Sequence, residues 1–180
     1  MITLELREPD DSVRVRIENN ESAEERASIR RINETAFGGT EESTLVDKLR
    51  DDGHAIISLV AELDARAVGH IMFGRMWIQT PTGLVPAVAL APVAVLPEYQ
   101  RRGIGGRLIR YGLELLRGQG EKIVIVVGHP DYYPRFGFSV EKARSLKSPF
   151  PAEAFMAMEL SAGALDDVRG PVVYPPAFGI

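Results

Sequence analysis

Apolar and polar residues alternate over 13–19, VRVRIEN, the period of a strand with one buried face. Ser22 followed by Glu25 then forms a capping-box pattern, predicting a helix to about Ala36 that "GGT" at 38–40 ends. Thr40 is the expected N-cap of a second helix, with Leu45, Val46 and Leu49 on one side and Gly53 as its stop. Two strand-like runs follow, 55–63 and 67–78, joined at Asp64-Ala65 as a hairpin; "TPTG" at 80–83 is a further turn. Residues 84–96 form a long apolar strand interrupted by Pro92, which cannot donate to a ladder and so marks a bulge or an open edge. A helix is expected from about Arg102 to Arg117, with Ile104, Leu108, Tyr111 and Leu115 as its core-facing stripe and "GQG" at 118–120 as its end. The nearly all-apolar 122–127 reads as a strand buried on both faces. "GHPDYYPRFGF" is a loop with one helical turn, "SLKSPFP" is loop, and 153–160 is the last strand expected. The proline-rich tail "VRGPVVYPPAFGI" is expected to dock on the body.

The order is therefore β-α-α-β-β-β-α-β-turn-β, an α/β chain with a mixed sheet. Its strand-helix-strand unit at 84–127 is the informative part. Such crossovers are right-handed and leave the two strands parallel. Their carboxyl ends then share one sheet edge, where ligands of open α/β sheets bind. Two loops distant in sequence, 97–106 and 128–137, should face one crevice.

Composition narrows the classes. The 180 residues suit one domain spanning 1–180, with the 45% hydrophobic and 26% charged content of an ordinary globular chain. A net charge of −4 argues against a nucleic-acid partner. The sequence has no cysteine, so disulfides and thiolate chemistry are absent. His54, His70 and His129 lack ligand spacing, so no metal is expected. The start, MITLELREPDD, has no leader pattern, and no run approaches a membrane span; a cytoplasmic location is the expectation.

The stretch "PEYQRRGIGGRL", Pro97 to Leu108, carries the strongest chemical signal. A helix start has unpartnered N–H groups and a partial positive charge. Gly103, Gly105 and Gly106 clear side chains from it, and Arg101, Arg102 and Arg107 add charge. From Glu98 to Arg117 there are five arginines and two glutamates, a local +3 in a chain of −4. That contrast favours a bound anion over a merely softened helix start. A Rossmann glycine pattern from Gly103 would need glycine where Leu108 stands, and no Walker string exists.

Gln100-Arg101-Arg102-Gly103-Ile104-Gly105 resembles the Q/R-x-x-G-x-G/A signature of the GNAT superfamily of N-acetyltransferases. Tyr133-Pro134-Arg135-Phe136-Gly137-Phe138 resembles that superfamily's Y-x-K-x-G-F segment, with arginine for lysine. The order of elements is similar along essentially the whole chain, and the tail "GPVVYPPAF" resembles a branch of predicted acetyltransferases without an assigned substrate. The resemblance implies a GNAT-like fold: a central, mostly antiparallel sheet, one parallel strand-helix-strand unit, and helices on both faces. It implies acetyl-CoA as cosubstrate, with its pyrophosphate on Arg101, Arg102, Gly103, Ile104, Gly105 and Gly106. Its pantetheine arm would lie along Val93, Ala94 and Val95. It also implies Tyr133 as the general acid, with Tyr132 as the rival; Phe136 and Phe138 read as core.

The function implied is acetyl transfer from acetyl-CoA to a primary amine of a small molecule or protein, the alternative being a non-catalytic acyl-CoA sensor on the same fold. The expected partners are acetyl-CoA and an amine, with no nucleic acid or membrane; a homodimer stays open. The general base stays open among Glu98, His129, Asp131 and water. Glu41 and Glu42, in the loop between the first two helices, are in a place to attract a cationic amine, but read first as first-turn carboxylates favouring the helix dipole. Arg75, Met76 and Trp77 are placed toward the acceptor side, with Trp77 read as core.

Overall fold

The alternating start forms β1 (Arg14–Ile17), and Ser22 caps α1 (Ala23–Phe37), its side chain accepting from the Glu25 amide. α2 (Glu41–Asp51) follows. Thr40 does not cap it through its side chain; instead the Ser43 hydroxyl donates to the Thr40 carbonyl. The computed structural model describes residues 12–180, so the N-terminal stretch read above for a leader lies outside the described residues. β2 (Ala55–Leu63) and β3 (Arg66–Thr80) form the expected hairpin, with Asp64 and Ala65 both at positive φ, as a two-residue hairpin turn requires. β4 (Gly83–Val95), α3 (Ile104–Gly118) and β5 (Ile123–Val127) make the crossover unit. β6 (Leu146–Lys147), β7 (Phe155–Glu159) and β8 (Gly170–Val173) complete the sheets.

The main sheet runs β1-β2-β3-β4-β5-β7. Only its β4–β5 pair is parallel; the other neighbours are antiparallel. Adjacent residues of β3 point to opposite faces. Met72 joins Val46 and Leu49 of α2, whereas Phe73 joins Ile104, Leu108 and Leu113 of α3. The sheet is thus covered by helices on both faces, as expected of the fold.

Three expectations are corrected. The buried stripe of α3 is Ile104, Leu108, Ile109, Leu113 and Leu116; Tyr111 is exposed and Leu115 only half-buried. The tail docks as β8, which pairs with β3 at Trp77–Val173 and Ile78–Val172, and with β6 inside the "SLKSPFP" loop. Third, Arg75, Met76 and Trp77, placed toward the acceptor side, are engaged within the fold, and β3 runs on past them to Thr80. Arg75 is clasped by Glu121 (Nη1 to Oε2, 3.0 Å), Met76 is fully buried, and Trp77 lies beside β8 with its ring edge to His54.

His70 is fully buried on β3. Asn33 donates to its Nδ1 (3.1 Å), which leaves Nε2 to donate to the Ser58 hydroxyl (2.9 Å). Burial, helped by nearby Arg50, lowers its pKa to about 3, so this histidine is neutral at physiological pH and structural. Arg50 itself forms a buried pair with Glu18 at 2.6 Å, tying α2 to the end of β1. Among the described residues no helix is long and apolar enough to cross a membrane.

Candidate active site

β4 and β5 pair only at Val88–Val124 and Ala89–Ile125, then diverge. Beyond that point β4 keeps β3 on one side, with Val93 opposite Ile71, Ala94 opposite His70 and Val95 opposite Gly69. Its other edge opens on a gap. The register slips between Ile71 and Phe73, so the bulge falls at Ala91-Pro92. Pro92 therefore has both features anticipated for it, a bulge and an unpaired edge.

A short turn at Pro97–Tyr99 leads from β4 to the start of α3, and Gln100 Nε2 donates to the free carbonyl of Val95 at 3.0 Å. Arg101 at φ 62 and Gly103 at φ 77 turn the chain through left-handed backbone. α3 then opens with no side-chain cap and no acidic residue in its first turn, unlike α1. Its first amides have no intrahelical partner and face a groove of about 1010 Å³. Arg101, Arg110 and Arg135 line this groove, so backbone dipole and three guanidinium groups combine in a way that suits an anion.

Of the residues expected here, Val93, Val95, Arg101, Gly103, Ile104, Gly105 and Gly106 line the groove. Ala94 has its side chain in the core, and Arg102 lies over the Tyr99 ring at 5.4 Å. Arg110 and Arg135 were missed. Arg110 stands over the Phe136 ring (4.9 Å) and one helical turn beyond Gly106, a spacing that would have found it. Arg135 donates to the Tyr132 carbonyl (2.9 Å) and lies over that ring (4.6 Å).

The gap between β4 and β5 continues into a second cavity of about 390 Å³. Leu90–Val93 form one wall, and Val127, Gly128, His129 and Tyr133 another. Phe37, Glu42 and Leu45 come from the α1–α2 corner, and Phe150, Tyr174 and Phe178 from the last part of the chain. Val93 and His129 line both groove and cavity.

The two tyrosines fall in different compartments. Tyr132 lines the groove, its hydroxyl 3.3 Å from where a Cβ on Gly105 would stand. Tyr133 lines the cavity and is 8% exposed, its ring edge-on to Phe138 and Tyr132. A Cβ on Gly128 would come within 2.3 Å of that ring, so glycine is what lets Tyr133 lie against the end of β5. The Tyr133–Phe136 turn closes in spite of Pro134, the Gly137 amide donating to the Pro134 carbonyl. Burial, with Tyr132 next to it, pushes the Tyr133 hydroxyl up to about 12. Burial also raises Tyr132, against the opposing pull of Arg135 and Arg110.

Among the base candidates, Glu98 and Asp131 line neither space, and His129 lines both. Glu41 and Glu42 both stand in the first turn of α2; of the two, Glu42 lines the cavity, the place that attraction of a cationic amine requires, and Glu41 does not.

The family model for an acetyltransferase (GNAT) domain matches residues 19–140. The N-acetyltransferase YjhQ of Escherichia coli (strain K12) is 42% identical over 132 residues, covering 71% of this chain and 73% of that protein. The crystal structure of the GNAT family N-acetyltransferase YhbS from Escherichia coli, in complex with CoA, superposes with a TM-score of 0.85 at 29% identity, covering 96% of this chain and 95% of that one. A GNAT family acetyltransferase from Brucella melitensis, in complex with acetyl-CoA, gives a TM-score of 0.76 at 34% identity, covering 92% and 97%.

Proposed function

The chain belongs to the GNAT family of acetyltransferases, and from that premise we propose that it transfers an acetyl group from acetyl-CoA to a primary amine. The observation that carries this reading is the continuity of the arginine-lined groove with the Tyr133 cavity at Val93 and His129. A ligand with an anionic end and a long neutral arm needs such a path.

The open amides of Ile104, Gly105 and Gly106 hold the pyrophosphate, with Arg101, Arg110 and Arg135 screening its charge and Arg102 auxiliary. The free edge of β4 at Val93, Ala94 and Val95 supplies backbone partners for the pantetheine arm. Acetyl-CoA brings an acetyl thioester, whose carbonyl carbon is the electrophile. The bond formed is amide C–N, the bond broken is C–S, and one amine proton ends on the released thiol.

Two proton events must be managed. An alkyl amine with a pKa near 10 is neutral in only about one molecule in 1,000 at pH 7, so its ammonium proton must first leave. His129, at the junction of the two spaces, or water takes it. The departing thiolate needs a donor; Tyr133 and Tyr174 both line the cavity, and Tyr133 is the one carried by the loop of His129, where the cavity meets the groove. A thiol titrates near 8.5, so full transfer from a hydroxyl at about 12 is uphill by about 5 kcal/mol. Tyr133 therefore acts by donating a hydrogen bond to sulfur as charge develops, and it stays protonated throughout the working pH range.

The test is a pair of measurements. Acetyl-CoA should raise the melting temperature where ATP and NAD do not, since only a ligand of the native state stabilises it. Amine-dependent release of coenzyme A should follow. No thermal shift with acetyl-CoA would overturn the reading.

A further inference from the structure

The acceptor side of the site is more specific than its family membership requires. The cavity wall formed by Phe150, Tyr174 and Phe178 lies entirely beyond residue 140, where the match to the family ends. These three rings touch in series: Phe150 to Tyr174 at 6.0 Å and 85°, Tyr174 to Phe178 at 4.9 Å and 53°. Pairing of β8 with β3 holds Tyr174 in place, and Ala177 is buried among Ile29, Val46 and Leu49, which anchors Phe178.

Charge in the cavity is sparse and of one sign. Among the described residues Glu42 is the one carboxylate that lines it, and no lysine or arginine does. His129, Tyr133 and Tyr174 also line it, and the Tyr174 hydroxyl, like that of Tyr133, is raised to about 12 by burial and so neutral. A single ammonium is matched by Glu42 and by the faces of the rings. A second ammonium would find no second carboxylate. A carboxylate or phosphate on the acceptor would meet Glu42 and no cation, a repulsive pairing that discriminates against it. Phe37, half exposed at the α1–α2 corner, extends the apolar surface further. The volume also fits: about 150 Å³ holds one benzene ring, and this cavity has about 390 Å³ for a ring, a short chain and the acetyl group.

We infer that the acceptor is a small primary amine with an aromatic or otherwise apolar body, one positive charge and no anionic group. Glu42 positions its ammonium, and Phe150, Tyr174 and Phe178 hold its body. This rests on the acetyl-transfer reading of the same site.

The test compares 2-phenylethylamine with phenylalanine, which has the same ring and amine plus a carboxylate, and with spermidine, kanamycin and a lysine-containing peptide. Coenzyme A release is followed with a thiol reagent, for which a protein without cysteine gives no background. The expected result is a kcat/KM for 2-phenylethylamine at least 100-fold above that for phenylalanine or spermidine. Glu42→Gln should raise its KM about tenfold and leave the Kd for coenzyme A unchanged. A preference for spermidine, kanamycin, phenylalanine or the peptide would overturn the inference and leave acetyl transfer standing; so would an unchanged KM in Glu42→Gln. If coenzyme A binds but no amine is turned over, acetyl transfer fails. Calorimetry of 2-phenylethylamine against phenylalanine on the coenzyme A-loaded protein then decides the pocket: binding of the first alone supports it, and any other result overturns it.

Discussion

The groove at the start of α3 and the cavity between β4 and β5 share Val93 and His129, yet they are made of opposite materials. The groove sets glycine backbone and three arginines beside Tyr99, Tyr132 and Phe136. The cavity is aliphatic and aromatic, and among the described residues that line it Glu42 is the one carboxylate and no arginine or lysine appears. The first recognises through main-chain dipoles that almost any side chain could surround. On the proposed reading the second recognises its amine through side chains brought from residues 37, 42, 45, 150, 174 and 178. A site divided in this way keeps its cosubstrate fixed while its acceptor changes through substitutions in one half.

The sharpest break in that comparison is at the boundary. Tyr133→Phe should lower turnover by about 10² to 10³, the usual worth of one hydrogen-bond donor aimed at developing charge, with binding of coenzyme A retained in a thermal-shift titration. An unchanged rate would remove the hydroxyl from the chemistry. Since Tyr133 stands at about 12, the wild-type pH–rate profile should rise as the amine deprotonates and show no falling limb from this group below about pH 11. Next comes Gly105→Val. Its Cβ meets only the Tyr132 hydroxyl at 3.3 Å and Val95 at 3.9 Å, so the protein should fold. The added methyls enter the groove, and affinity for coenzyme A should drop about 100-fold by calorimetry. Phe178→Ala should act on the other half alone, raising the KM for the amine about tenfold at constant coenzyme affinity. Equal effects on both ligands would mean that the two halves are not separable. Smallest is Arg110→Ala, about fivefold in coenzyme A affinity at low salt and less at 0.5 M, because an exposed charge is screened.

The same contrast explains what the sequence could disclose. The groove was legible because its parts are contiguous: a strand end, Gln100 to Gly106, and a helix start. Tyr133 was legible for the same reason, in an unbroken "YPRFGF". The acceptor cavity was not, since no local pattern joins Phe37 and Glu42 to Tyr174 and Phe178. The sequence offers Glu41 and Glu42 alike for a cationic amine, and only the fold separates them, since Glu42 lines the cavity and Glu41 does not. β8 escaped notice because four residues including Pro171 make a weak strand, and pairing with β3 supplies the rest. The α3 stripe was displaced because Tyr111 and Leu115 score as apolar as Ile109 and Leu116; burial is decided by where the sheet lies, which periodicity alone does not give.

One feature of the sheet has a mechanical side. The strands β5 and β7 are sewn to the remainder of the main sheet by two register pairs, Val88–Val124 and Ala89–Ile125. Two plates joined by so short a seam can hinge where a fully laddered sheet would be stiff. A molecule lying in the gap, bonded to β4 on one side and packed on β5 and Tyr133 on the other, would act as a temporary extra strand. Its arrival would stiffen the protein across the seam, and its departure would loosen it. Slower amide exchange in β5 when coenzyme A is present would be the trace of that stitch being made and undone in each catalytic cycle.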